Sequence, residues 1–153
     1  MRALRINHVS ISARDLEEST RFYEHVFAME RIPTPTFESP VQWLRVGDMQ
    51  LHLFLDDRPA PSRHHLGMTI DDFDTAYQAV KARASAMFGF QLVELPSGQV
   101  QLYFRDPNDN LIELNCEVST LDRSRYPELK KLAEHIPQRD GSESAVLYLD
   151  AGG

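Results

Sequence analysis

Two histidines, His8 and His65, begin segments of this chain that repeat each other. Residues 7–16 read NHVSISARDL and residues 64–73 read HHLGMTIDDF. In both segments an aspartate and an apolar residue follow the histidine seven and eight positions later, and the two histidines are 57 positions apart. A repeat of this length indicates that two similar supersecondary units are joined. Joined units can place equivalent side chains around one cavity, so the repeat predicts a metal site between the two halves.

Composition and charge favour a small-molecule partner. The chain has 153 residues, of which 42% are hydrophobic, as expected for one compact domain. The net charge is -7, and the 16 Lys and Arg residues are scattered rather than clustered. This distribution argues against a nucleic-acid partner and against an anionic membrane surface.

Targeting and disulfide signals are absent from the sequence. Residues 1–8 lack the apolar run of a signal peptide, and no segment approaches the ~20 apolar residues of a membrane-spanning helix. The single cysteine, Cys116, excludes an intrachain disulfide framework. We therefore expect a cytoplasmic protein.

The first half predicts the element order βαβββ. Residues 5–12 alternate in strand fashion, and Asp15 is a helix N-cap followed by Glu18 at the third helical position. The helical period continues to about Ala28. Three strands then fit residues 30–37, 41–46 and 49–55, with Gly47 and Asp48 as the tight turn before the last strand.

After a proline-rich linker over residues 56–62, the pattern starts again. Residues 65–70 alternate, Asp72 is expected to cap a helix, and strands fit residues 90–95, 99–105 and 110–117. The loop at residues 106–110 is interpreted as a turn, because Asp and Asn satisfy local backbone donors. Aligning the last strands of the two halves pairs His52 with Glu113, which are 61 positions apart, whereas His8 and His65 are 57 apart. The second unit is therefore four residues longer.

The domain prediction is one domain over residues 1–117, with module 1 at about 5–55 and module 2 at about 64–117. Residues 118–153 form a C-terminal extension outside the repeat. Within it, residues 127–134 fit a short amphipathic helix and residues 145–149 fit a strand.

These features resemble the vicinal oxygen chelate superfamily, which includes glyoxalase I, extradiol dioxygenases and bleomycin-binding proteins. The resemblance covers residues 5–117. It is carried by residues 7–11 (NHVSI), 21–24 (RFYE), 51–54 (LHLF), 65–67 (HLG) and 104–114 (FRDPNDNLIEL). It implies an α+β fold in which two βαβββ modules form a curled mixed sheet around a metal-centred cavity. It also implies a homodimer.

Carried over by position, the resemblance implies His8, His65 and Glu113 as metal ligands and His52 at a fourth place. Two imidazoles and one carboxylate suit Fe, Mn, Ni, Co or Zn and leave positions open for substrate oxygens. His52 fits a distant ligand, a general acid or base, or a hydrogen-bonded wall residue. Tyr103 shares a face with Gln101 and Arg105 and is a candidate donor to a substrate oxygen, although a packed or solvated face fits equally well.

Several reactions fit this ligand set. A glyoxalase-like lyase or isomerase needs a base beside the metal, and Glu113 with His52 could move that proton. An extradiol dioxygenase matches Leu102, Tyr103, Asp106 and Pro107, but Glu94 to Pro96 lies where those enzymes carry a further histidine. A fosfomycin-type thiol transferase matches the two histidines and the glutamate. A metal-free binding protein would use both histidines as wall residues.

Overall fold

The computed structural model describes residues 2, 6–59, 61, 64–84 and 91–145. The fold is α+β, as the resemblance implies, and its strands form two mixed sheets. The chain divides into two compact units, one comprising residues 1–66 and 105–111 and the other comprising 67–104 and 112–153. Each unit holds one of the two sheets, except that four end residues of strands in the second sheet belong to the first unit, namely His65, Leu66, Arg105 and Leu111.

The first unit has the predicted order βαβββ. Its elements are β1 (His8–Ala13), α1 (Leu16–Phe27), β2 (Glu30–Ile32), β3 (Val41–Val46) and β4 (Met49–Leu55). The strand order is β1-β4-β3-β2, in which β1 is parallel to β4 and the other pairs are antiparallel. The last strand of the module therefore lies beside the first.

Helix α1 begins and ends where the sequence indicates. The carboxylate of Asp15 accepts a 2.8 Å hydrogen bond from the backbone N of Glu18, as an N-cap residue does. At the other end Ala28 adopts a left-handed conformation with φ 51°, which stops the helix. The helix buries Phe22 and Tyr23 within this unit.

Strand alternation separates the core of the first unit from its functional face. Leu51 and Leu53 on β4 are buried, and so is Leu44 on β3. Because successive side chains of a strand point to opposite faces, His52 points away from Leu51 and Leu53. Helix α1 contacts β3 and β4, which places the apolar side chains in the helix-sheet core.

Strand β2 is shorter than predicted. It covers Glu30–Ile32 and not residues 30–37. Pro33 and Pro35 have no backbone N–H and cannot continue the ladder. The hydroxyl of Thr34 instead accepts a 3.0 Å hydrogen bond from the backbone N of Trp43.

The second half repeats the same topology. Its elements are β5 (His65–Thr69), α2 (Phe73–Ala84), β6 (Gln91–Glu94), β7 (Gln99–Arg105) and β8 (Leu111–Glu117). The order β5-β8-β7-β6 matches β1-β4-β3-β2 of the first sheet. Asp72 caps α2 as predicted, because its carboxylate accepts from the backbone N of Thr75 at 2.9 Å. The predicted repeat of two βαβββ modules is confirmed.

The C-terminal extension differs from its prediction. A short strand, β9 (Lys130–Lys131), pairs with β6 in parallel, and only Leu132–His135 form the helix α3. The helix predicted over residues 127–134 is therefore wrong for most of its length, because the exposed edge of β6 offers backbone partners to Lys130 and Lys131. Short 3-10 helices occur at Val118–Thr120, Arg123–Arg125 and Ser142–Ser144. Beyond Ala145, the strand predicted over residues 145–149 lies outside the described residues.

Candidate functional site

Two of the predicted site histidines meet on the sheet of the first unit. The ring of His52 lies between Trp43 and His8, with centroid distances of 4.2 Å to Trp43 and 4.4 Å to His8. The planes are nearly parallel, at 5° and 14°. Trp43 is the direct cross-strand partner of His52, and Ser10 is its partner on the other side. The three rings therefore form one stack across three strands.

Both histidines of this stack are oriented by neighbouring amides. Nδ1 of His8 lies 2.6 Å from Oδ1 of Asn7, and Nε2 of His52 lies 2.9 Å from Oε1 of Gln50. An amide oxygen only accepts hydrogen bonds, so in each pair the imidazole donates. The lone pair of neutral His8 is then on Nε2, and that of neutral His52 is on Nδ1.

Burial sets the charge state of His52. Its side chain is 6% exposed, whereas His8 is exposed. Burial lowers the pKa of His52 below its usual value, and the neighbouring His8 lowers that pKa further. His52 is therefore held neutral near pH 7, and a neutral imidazole can exchange a proton at Nδ1.

A cavity of about 530 Å³ opens beside the stack. Its walls include His8, Ser10, Phe37, Trp43, His52 and Phe54. The indole N–H of Trp43 is buried and finds no acceptor within the described part of the chain. The cavity volume lies in the range of small-molecule sites.

Glu113 is the predicted site carboxylate of the second unit. It lies on β8 and is 4% exposed. Nε2 of Gln101 donates to it at 2.8 Å, and the hydroxyl of Tyr103 is also hydrogen-bonded to it. The pKa of Tyr103 is raised well above its usual value, chiefly by burial and secondly by the neighbouring Glu113. Tyr103 therefore stays protonated and can donate at neutral pH.

His65 begins β5 and is exposed. It lines a second cavity of about 780 Å³ together with His64, Arg58 and residues of β1. Across residues 6–59, 64–84 and 91–145, no three His, Cys, Asp or Glu side chains are grouped so that they could hold a metal ion. The ligand set of His8, His65 and Glu113 therefore stays a prediction.

Arg45 on β3 and Arg105 on β7 both have partners within the protein. Arg45 forms an ion pair with Glu30, and Arg105 donates to the backbone oxygen of Asp109 at 2.8 Å.

The predicted turn at residues 106–110 is confirmed, with a backbone hydrogen bond of 3.0 Å from Asp109 N to Asp106 O.

Trp43 was missed as a partner of His52. The signal was present, because the two-residue turn at Gly47 and Asp48 sets the register of β3 against β4 and so pairs residue 43 with residue 52. The orienting roles of Asn7 and Gln50 have no comparable signal in the sequence.

Comparison with known proteins agrees with this fold. A family model described as the Glyoxalase/Bleomycin resistance protein/Dioxygenase superfamily matches residues 5–114. Mitochondrial methylmalonyl-CoA epimerase from Homo sapiens is 26% identical over 94 residues, covering 52% of this chain and 53% of the epimerase. The chain thus spans about half the length of that relative.

Two solved structures share the fold at low sequence identity. A variant of the fosfomycin resistance protein FosX from Listeria monocytogenes, complexed with Mn(II) and 1S,2S-dihydroxypropylphosphonic acid, has a TM-score of 0.63 at 18% identity. The similarity covers 76% of this chain and 94% of that one. Lactoylglutathione lyase from Agrobacterium tumefaciens has a TM-score of 0.52 at 20% identity, covering 72% and 92%.

The repeated βαβββ modules thus define a protein of the glyoxalase fold. The chain belongs to the Glyoxalase/Bleomycin resistance protein/Dioxygenase superfamily. None of the helices in the described ranges is long and apolar enough to cross a membrane.

Proposed function

We propose that this chain is a divalent-metal-dependent enzyme of the vicinal oxygen chelate type, a glyoxalase-like lyase or isomerase. Its substrate is a small molecule that chelates the metal through adjacent oxygens. The superfamily match over residues 5–114 supports this, and so do relatives named as a lyase and an epimerase. We further propose that it works as a cytoplasmic homodimer.

The proposal rests on one observation, the equivalence of His8 and His65 in two modules of identical strand order. Each histidine is the first residue of the first strand of its module. His52 and Glu113 lie within the last strands, β4 and β8, which are neighbours of those first strands. A lone strand histidine has many structural explanations, whereas a repeated one at the same topological position favours a shared role.

The donor chemistry fits a transition metal. We propose His8, His65 and Glu113 as ligands, contributed by one chain or by two chains of the dimer. The hydrogen bond from Nδ1 of His8 to Asn7 leaves Nε2 as the metal-binding lone pair, the arrangement typical of ligating histidines. A bound Fe, Mn, Ni, Co or Zn ion would act as a Lewis acid that stabilises an oxyanion of the substrate.

The remaining roles follow from the protonation states of the side chains. Glu113 is proposed to move a proton between adjacent carbons, and neutral His52 to relay it through Nδ1. On substrate binding, Tyr103 is proposed to turn its single hydroxyl proton from Glu113 to a substrate oxygen. Its raised pKa, caused chiefly by burial, keeps that proton in place.

The deciding experiment is elemental analysis of untagged protein. Wild type should carry about one transition metal per chain, and His65→Ala and Glu113→Ala should lose it because each removes a ligand. His64→Ala and His25→Ala, which remove exposed histidines outside the ligand set, should keep it. If wild type takes up no metal after reconstitution, the enzyme proposal fails.

The identity of the metal selects among the metal-dependent alternatives. Fe(II) with substrate-dependent oxygen uptake would favour a dioxygenase over a lyase. Mn, Ni, Co or Zn would favour lyase, isomerase or thiol-transfer assays.

The aromatic cavity beside His52 favours a second candidate, a metal-free binding protein. Phe37, Trp43 and Phe54 would then form the walls of a ligand site, with His8 and His52 as stacking and hydrogen-bonding residues. Ligand binding by protein that takes up no metal would support this function in place of the enzyme.

A further inference from the structure

The cavity beside His52 is walled by aromatic rings. The centroid of Phe37 lies 6.1 Å from Trp43 and 6.2 Å from Phe54. On another side the wall continues through the stack of Trp43, His52 and His8. Five rings therefore border about 530 Å³ of space within the first unit.

Strand pairing holds most of this wall in place. Trp43 pairs with His52 across β3 and β4, and Phe54 follows His52 by two residues, so the three side chains share one face of the sheet. Phe37 comes from the segment between β2 and β3 and is 45% exposed. An aromatic side chain left exposed over a preformed aromatic face is a surface that a flat ligand can cover.

The polar groups of the cavity indicate the charge of such a ligand. Besides the two histidines, these groups are the side chains of Asn7, Ser10, Asp48 and Gln50. The described lining residues include neither Lys nor Arg. No lysine or arginine among these described lining residues could therefore pair with an anionic ligand. The side-chain oxygens of Asn7 and Gln50 bind the two histidines, so their NH2 groups are the amide donors of this cavity.

We propose that this cavity binds a flat, uncharged aromatic or conjugated ring that carries a carbonyl-type acceptor. The ring packs against Phe37, Trp43 and Phe54, and the acceptor receives a hydrogen bond from the side-chain amide of Asn7 or Gln50. The inference rests on the proposed function, since it names the class of substrate that the site would take.

Trp43 makes this proposal directly measurable, because it is the only tryptophan of the chain. Benzamide is titrated while tryptophan emission is followed, with cyclohexanecarboxamide as the matched non-planar amide and benzoate as the matched anion. Benzamide should bind roughly three- to tenfold more tightly than cyclohexanecarboxamide, the factor expected for ring stacking beyond buried area. It should also bind more tightly than benzoate.

Two variants separate the cavity from the rest of the surface. Phe37→Leu keeps the reporter and should weaken benzamide binding several-fold, because it removes one stacking ring. Ile136→Ala removes an apolar side chain that is 53% exposed in the C-terminal extension and should leave binding unchanged. Equal affinity for the two amides, tighter binding of benzoate, or an unchanged affinity in Phe37→Leu would each overturn the proposal.

Metal content measured on the same samples distinguishes failure of the enzyme proposal from failure of the proposed ring site. A preference for benzamide in protein that takes up no metal would sink the enzyme proposal and leave the ring site standing. A full complement of metal without that preference would sink the ring site alone.

Discussion

The hydroxyl of Tyr23 donates a 2.7 Å hydrogen bond to the carboxylate of Asp106, which lies 83 positions further along the chain. Both side chains are buried, at 0% and 2% exposure. Asp106 also accepts from the backbone N atoms of Asn108 and Asn110. Asn108 in turn donates to the backbone oxygen of Ser12. The turn between β7 and β8 is thus attached to α1 and β1 of the first module.

Removing the Tyr23 hydroxyl should destabilise the protein measurably. Tyr23→Phe deletes a hydrogen bond to a buried charged group, so we expect the free energy of unfolding to fall by about 1.5–3 kcal/mol. Urea denaturation monitored by circular dichroism measures this difference. Asp109→Asn changes an exposed carboxylate of the same turn and serves as the control. A loss below about 0.5 kcal/mol in Tyr23→Phe would show that the bond contributes little.

Asp109 should tolerate glycine better than a β-branched residue. Its φ of 64° is in the left-handed region, where glycine meets no steric cost. Asp109→Gly should stay within about 0.5 kcal/mol of wild type, because conformational relief offsets the added entropy of the unfolded chain. Asp109→Val should cost about 1–2 kcal/mol. Equal melting curves for the two variants would contradict this account.

The attachment of the C-terminal extension should depend on acid pH through Glu128. Its carboxylate accepts from Lys81 at 2.6 Å and from the Tyr77 hydroxyl at 2.5 Å. These hydrogen bonds, chiefly the one from Lys81 and secondly the one from Tyr77, lower the pKa of Glu128 from 4.5 to about 2. A carboxylate whose pKa is lower in the folded protein than in the unfolded chain stabilises the fold once it is ionised in both states. The contribution of Glu128 is therefore full above pH 4.5 and is lost as the pH falls toward about 2.

The test compares stability against pH in wild type and Glu128→Gln. The difference between them should shrink as the pH is lowered from 4.5 to 2. High salt should also reduce it, because the Glu128 side chain is 39% exposed and screened by solvent. Glu134→Gln is the matched control, since that side chain is 64% exposed and lies 4.0 Å from Lys131. A difference that does not change with pH would refute the assignment.

The proposed metal ligands should rank differently from His52. Because His52 is buried and stacked between Trp43 and His8, we expect it to act beside the metal and not on it. His52→Ala should therefore weaken metal binding by roughly 10–100-fold, the range for residues that orient ligands. His65→Ala and Glu113→Ala should abolish tight binding. Competition with a chelator measures all three, and an equal loss in each would contradict the ranking.

The strand pattern and the repeat were readable from the sequence because they depend on local chemistry. Alternation predicted the strands of both modules, and Asp15 and Asp72 marked the helix starts. Pro33 and Pro35 lie inside the strand predicted over residues 30–37, and because neither has a backbone N–H the strand ends at Ile32.

The sequence by itself determined the two βαβββ modules, because periodicity, capping and turn length act between near neighbours, and its motifs carried the resemblance to the superfamily. Only the tertiary structure decided that His8 stacks on His52, that Tyr23 binds Asp106, and that Lys130 and Lys131 pair with β6. Those partners are far apart in the chain, or are chosen by which edge or face packing leaves available. No local pattern encodes that choice, since it depends on the free energy of the whole packed unit.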